Sequence, residues 1–155
     1  MFMKIYNTLS HKEEVFIPWE EGKVSFYTCG PTVYHYAHIG NMRNYIGHDI
    51  LDKTLRFIGF DVTRCMNITD VGHLTSDSDS GDDKMVASAK KEHKSVLDIA
   101  SFYTDAFFKD FDALNCKRPE IVSNATDNIE EYIKIITKLL EDGYAYKAGG
   151  NVYFD

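Results

Sequence analysis

Residues 27–41, YTCGPTVYHYAHIGN, put one thiol, two imidazoles and three phenols into a single stretch, broken by Gly30, Pro31 and Gly40. The stretch has no helical or strand period. His38 and Asn41 are hydrogen-bond donors at its end, and Gly40 lets the backbone approach a ligand with no Cβ in the way. That H-x-G-N grouping suits an anion such as a nucleotide phosphate, because a helix beginning there aims free N–H groups and a positive dipole end at it. Taken singly, His38 reads as a hydrogen-bonded loop histidine and Asn41 as an ordinary N-cap. The other phosphate-loop patterns, G-x-G-x-x-G and G-x-x-x-x-G-K, are absent. His35-x-x-His38 near Cys29 is a weak metal pattern, since i,i+3 spacing carries no helical geometry inside a Gly/Pro turn.

The flanking elements decide where this stretch sits. KVSFYTC (23–29) is β-branched and aromatic and reads as a strand ending near Cys29. From Asn41 onward, Ile46, Ile50, Leu51, Leu55 and Ile58 recur at helical spacing, and Gly59 stops the run. FDVTRCMNIT (60–69) is a second strand. Strand, helix, strand is a βαβ unit, with parallel strands and a right-handed crossover. Ligands of open parallel sheets bind beyond the carboxyl ends of the strands, which is where the 27–41 turn falls.

Downstream, 70–84 is polar and glycine-punctuated, a loop, followed by a charged helical segment, KMVASAKKEHK. Ser95 with Asp98 marks a helix start. Val96, Ala100, Tyr103, Phe107, Phe111 and Leu114 then share one face. Pro119 lies in a connector. Asp127 with Glu130 opens another helix, with Ile129, Tyr132, Ile133, Ile136, Leu139 and Leu140 as its stripe and Gly143 as its end. YAYKAGGNVYFD reads as a hairpin. A single βαβ unit cannot complete a parallel sheet covered on both faces, so the expectation is the front half of something larger.

Composition narrows the class. The chain has 155 residues, 44% of them hydrophobic, and a formal charge of −7, which speaks for a globular domain and against a bare nucleic-acid-binding module. No membrane span or signal peptide is read. Cys29, Cys65 and Cys116 are too widely spaced for a disulfide framework, and the expectation is a cytosolic protein with reduced thiols. Cys65 and Cys116 are read as packing residues.

HIGN in this position resembles the HIGH signature of class I aminoacyl-tRNA synthetases. The longer string YTCGPTVYHYAHIGN, with NITD at 67–70, is more specifically similar to the cysteinyl-tRNA synthetase family. The likeness runs from IYNTLS through DFDALN to GNVYFD. It implies an α/β, Rossmann-like parallel-sheet nucleotide-binding fold of the class I type. Residues 1–113 would form the first half of the catalytic domain, and 114–155 a helix and hairpin leading into the connective segment. The rest of the catalytic domain, its KMSKS-like loop and the anticodon-binding domain would lie outside the chain, leaving it inactive alone.

The implied activity is activation of L-cysteine with ATP and Mg2+ to cysteinyl-adenylate, then transfer to tRNA(Cys), by a monomeric enzyme. The resemblance makes Cys29 one of four Zn2+ ligands. His38 would be the phosphate donor, and Gly40 and Asn41 would border the adenosine and ribose. Gly30, Thr32 and Thr69 would line the amino-acid pocket, although for the threonines a turn or strand-end role is a serious rival. A thiol is a better zinc ligand than a hydroxyl, so coordination would discriminate cysteine from serine. A lone cysteine is otherwise a small buried hydrophobe. Two alternatives stand beside this reading: a cysteine-activating ligase with a small-molecule amine acceptor, and a non-catalytic nucleotide-binding paralogue.

Two departures from the family pattern stand out. The fourth HIGH position is Asn41, which keeps a side-chain donor and is expected to preserve function with altered ribose contacts. VGHLTSDSDSG (71–81) intervenes before DDK at 82–84, an inserted loop beside the site. Its Asp77-x-Asp79 does not make a calcium loop, because the fifth, sixth and twelfth places hold Gly81, Asp82 and Ser88. His48, His73 and His93 read as surface or helix-face residues, and KKEHK (90–94) as a solvated charge run.

Overall fold

A computed structural model describes residues 3–72 and 95–155. The charged 84–94 segment, His73, His93, the Asp77–Ser88 comparison and most of the 71–81 loop lie outside the described residues.

Strand β1 (Lys4–Asn7) pairs antiparallel with β2 (Lys12–Val15). This hairpin was not among the expected elements; its turn holds His11 at φ 56°, a conformation that no local glycine advertises. Then come β3 (Lys23–Thr28), helix α1 (Ile39–Phe57) and β4 (Asp61–Ile68). β3 and β4 are parallel, from Lys23 opposite Asp61 to Thr28 opposite Met66, so the expected βαβ unit is present. Helix α2 (Val96–Ala113) follows, started by Ser95, whose hydroxyl accepts from the Asp98 backbone N–H.

The segment expected to be only a connector contains a strand, β5 (Ile121–Asn124), parallel to β4 from Cys65–Ile121 to Ile68–Asn124. The central sheet therefore runs β3-β4-β5. A short 3-10 turn (Thr126–Asn128) leads into α3 (Ile129–Glu141). The expected hairpin closes the chain as β6 (Ala145–Ala148) and β7 (Asn151–Phe154). Gly149 and Gly150 both have positive φ between them, the requirement of a two-residue turn whose twist matches the strands.

The core lies between the sheet and helices α1 and α2. Met66 and Ile68 of β4 pack with Val33, Met42, Tyr45, Phe107, Phe108, Phe111 and Cys116. Tyr45 meets Phe107 edge-on, with ring centroids 5.0 Å apart. Cys116 is buried in this cluster and Cys65 sits half-buried in β4, as packing residues would.

The buried face of α1 differs from the one its apolar spacing predicts. Leu55 is buried, but Ile50 and Leu51 are exposed, while Met42, Tyr45, Asp49 and Asp52 turn inward. The reason is charge pairing across the fold. Asp52 accepts from Arg56 Nε at 2.6 Å and lies 3.6 Å from Nε of the fully buried Arg64. Asp49 accepts from the Lys117 backbone N–H at 2.7 Å and pairs with Lys53. Glu120 joins the two sides, accepting from the Arg64 backbone N–H and from Arg56 Nη2, both at 2.8 Å. Leu114, expected on the packed stripe of α2, is that helix's exposed C-cap. Helix α3 forms with its predicted stripe, but Ile129, Tyr132, Ile133 and Ile136 are exposed. His48 lies on a half-buried face of α1, as one of its two readings had it, and its Nδ1 has no hydrogen-bond partner among the described residues. Burial and the Arg64 charge hold its pKa below the ordinary value. No helix among the described residues is long and apolar enough to cross a membrane.

Candidate active site

The turn after β3 is built on the end of β4. Thr28 donates its hydroxyl to the Cys65 carbonyl at 3.3 Å. The Gly30 N–H then donates to Asn67 Oδ1 at 2.8 Å. A Cβ at Gly30 would fall 1.7 Å from the Asn67 carbonyl oxygen, so only glycine fits there. One step on, the Thr69 N–H donates to the Pro31 carbonyl at 2.9 Å, and the Thr69 carbonyl accepts from Val33 N–H at 3.1 Å. This extends the parallel pairing by one bridge, Thr32 opposite Thr69. Gly30, Thr32 and Thr69 are therefore brought together. Gly30 and Thr32 face a cavity of about 190 Å³ whose other walls include Tyr34, Asn41, Tyr45 and Phe107. Thr69 is a neighbour of Thr32 and does not line the cavity itself.

The mouth of α1 is arranged differently from the sequence expectation. The helix starts at Ile39, and His38, not Asn41, is its N-cap. His38 Nδ1 accepts from the backbone N–H of Gly40 at 3.0 Å and of Asn41 at 3.3 Å. Asn41 Oδ1 accepts in turn from the His38 backbone N–H at 3.1 Å, so the two residues form a reciprocal capping box. An Nδ1 that accepts leaves the ring proton on Nε2, the nitrogen facing away from the helix. Asn41 keeps its Nδ2 donors. A Cβ at Gly40 would lie 2.9 Å from His38 Cε1 and push the ring off its cap. No acidic residue sits in the first turn to neutralise the helix's positive end.

Cys29 is exposed at the end of β3. Burial, then the nearby Cys29 thiol, pushes the Tyr45 phenol up to about 12, so it stays a protonated donor. Burial and then Cys29 likewise raise Tyr27, whose hydroxyl donates to Asn67 Oδ1 at 2.7 Å. His35 is tied to its own loop, its Nδ1 2.6 Å from the Tyr36 carbonyl. Among the described residues no three His, Cys, Asp or Glu side chains gather where a metal ion could be held. The weak Cys29/His35/His38 pattern thus does not assemble. An exposed thiol fits zinc as one donor, and a tetrahedral site needs three more from elsewhere.

Sequence reasoning passed over two residues here. Asn67, in sequence only a letter of NITD, bonds Gly30, Tyr27 and Thr69. Asp70, buried, accepts from Thr126 N–H at 3.0 Å and Thr126 Oγ1 at 2.5 Å, fastening the end of β4 to the entry of α3.

Residues 15–155 match the family described as tRNA synthetases class I (C) catalytic domain. The chain belongs to this family. Its parallel sheet with helices is the Rossmann-like class I arrangement that the resemblance implied. Among its relatives, a cysteine–tRNA ligase of Treponema denticola is 60% identical over all 155 residues, covering 100% of this chain and 32% of the relative. One from Treponema pallidum is 54% identical over 155 residues, covering 100% of this chain and 30% of the relative. One from Chlorobium chlorochromatii is 47% identical over 154 residues, covering 99% and 32%. The chain thus spans about a third of the length of these curated relatives.

Proposed function

We propose that this chain is the amino-acid-activating part of a cysteine–tRNA ligase, with L-cysteine, ATP with Mg2+ and tRNA(Cys) as the partners of the whole protein. The observation that carries the reading is the 60% identity, over the full chain, to a relative of that name. The geometry of the turn supports it. In the activation step the cysteine carboxylate attacks the α-phosphorus of ATP, and pyrophosphate leaves with the electron pair of the broken P–O bond. The carboxylate is ionised at neutral pH, so no general base is needed; alignment and charge stabilisation carry the catalysis.

In this reading His38 donates from Nε2 to a phosphate oxygen, held by the two N–H groups that grip its Nδ1. Gly40 and Asn41 border the adenosine and ribose. Gly30, Thr32 and Thr69 shape the amino-acid side, next to the exposed Cys29 thiol. Cys29 would be this chain's one ligand to Zn2+, which when bound takes a thiolate in preference to a hydroxyl. Residues 1–113 are read as the first half of the catalytic domain and 114–155 as the way into its connective segment, in a cytoplasmic monomer.

Amino-acid-dependent ATP–pyrophosphate exchange, measured on the longer protein that carries this chain, tests the reading. Exchange with cysteine and at least a hundredfold less with serine is expected. Equal exchange with both, or none with cysteine, overturns it.

A further inference from the structure

One side chain couples the two halves of the amino-acid side of the site. Asn67 sits near the end of β4, and its side chain meets three groups. Its Oδ1 accepts from the Gly30 N–H at 2.8 Å and from the Tyr27 hydroxyl at 2.7 Å. Its Nδ2 donates to Thr69 Oγ1 at 2.9 Å. A backbone N–H can only donate, so the amide orientation is fixed: oxygen toward Gly30, nitrogen toward Thr69. Thr69 Oγ1 must therefore accept from Asn67, and its own proton is directed elsewhere. Main-chain contact reinforces the clamp, since Gly30 lies so close to the Asn67 carbonyl that no Cβ fits between them.

We infer that Asn67 is a positioning residue for amino-acid recognition. Through Gly30 it sets the backbone that projects Cys29, and through Nδ2 it fixes the Thr69 side chain next to Thr32, which faces the cavity. A single amide thus sets the relation between the Cys29–Gly30 turn and the Thr69 strand end. The adenosine side is outside its reach, because His38 and Asn41 cap each other without it. This inference rests on the proposed cysteine activation, and it separates the substrates: disturbing Asn67 should weaken cysteine use and spare ATP use.

The test is ATP–pyrophosphate exchange by the longer protein, with KM measured separately for cysteine and ATP. In Asn67→Ala, the KM for cysteine should rise at least tenfold while that for ATP stays within about twofold. Hydrogen exchange at the Gly30 amide should quicken at least tenfold as its acceptor disappears. Asn67→Asp keeps an acceptor for Gly30 but makes Thr69 the donor toward it. It should restore slow exchange at Gly30 and still raise the cysteine KM, even where the alanine variant folds poorly. Wild-type exchange with both KM values unmoved in the variants, or moved equally, overturns the inference alone. No cysteine-dependent exchange in the wild type overturns the activation reading first and this inference with it.

Discussion

In the proposed reading His38 has two tasks that point in opposite directions from one ring. Nδ1 faces back and caps α1, while Nε2 faces out with the proton. Substitution can separate them. Asparagine is among the better N-cap residues, so His38→Asn should keep stability within about 0.5 kcal/mol while removing the outward donor. On the proposed function, ATP–pyrophosphate exchange by the longer protein carrying this change should fall about a hundredfold, the size of losing one preorganised donor to a charged transition state. His38→Ala should lose the exchange and about 1 kcal/mol of stability, read from urea unfolding. Full exchange in the asparagine variant would reduce His38 to a cap. That His38 and Asn41 meet at the start of a helix was legible in sequence, but which of them caps it was not. Asn is a common cap and His is not, so local preference assigned the cap to Asn41. Asn67 was hidden for another reason: its partners Tyr27 and Gly30 lie 40 and 37 residues away, and only strand register brings them together.

Between α1, β4 and the segment before β5, the fold is fastened by charges that periodicity cannot see. Apolar spacing predicted strand, helix and strand correctly, yet it turned α1 by the wrong face because Asp49 and Asp52 count as polar. Asp52 is compensated by Arg56 and Arg64, and Asp49 by Lys53 and by the backbone N–H of Lys117, 68 residues away. The four-residue β5 was missed likewise, since its pairing with β4 is long-range and Pro119 precedes it. Removing one member of such a cluster leaves the others uncompensated. Asp52→Asn should cost about 3 kcal/mol or more, because Arg64 stays buried beside a neutral group. A urea midpoint unchanged from wild type would refute this. Acid supplies a second probe of the same cluster. Burial pushes Glu120 up, but the Lys117 ammonium and the backbone N–H groups of Arg64 and Glu120 itself outweigh it and hold it at about 2, against an ordinary 4.5. A carboxylate depressed in the folded state stabilises above its unfolded pKa, and that share is lost as pH falls through the folded value. The stability gap between wild type and Glu120→Gln should therefore be constant above about pH 4.5 and shrink toward pH 2. A gap independent of pH across that window would show that Glu120 acts by shape alone.

On the scale of the molecule, two apolar surfaces among the described residues face solvent. One is the stripe Ile129, Tyr132, Ile133 and Ile136 on α3. The other is a cleft of about 430 Å³ with Ile5, Phe16, Ile17, Trp19 and Leu51 among its walls, running beside β3, an edge of the sheet. Exposed patches of this kind promote association unless charge opposes it. Here charge does oppose it, because the chain carries a formal −7. The two effects differ in range. Apolar contact acts only on touching, whereas repulsion reaches over a Debye length of about 30 Å at 0.01 M salt and about 3 Å at 1 M. Low salt should therefore hold copies of the 155-residue chain apart, and high salt should let the apolar faces meet. Trp19 is the chain's single tryptophan and is fully exposed, so its fluorescence reports directly on the cleft. At low salt its emission should be that of a solvated indole, freely quenched by acrylamide. At about 1 M salt the emission should move to shorter wavelength and quenching should fall, while sedimentation shows larger species. Larger species with Trp19 still solvated would place the contact on α3 instead of the cleft. No association at any salt would mean that neither apolar face is adhesive, and that their exposure carries no drive to be covered.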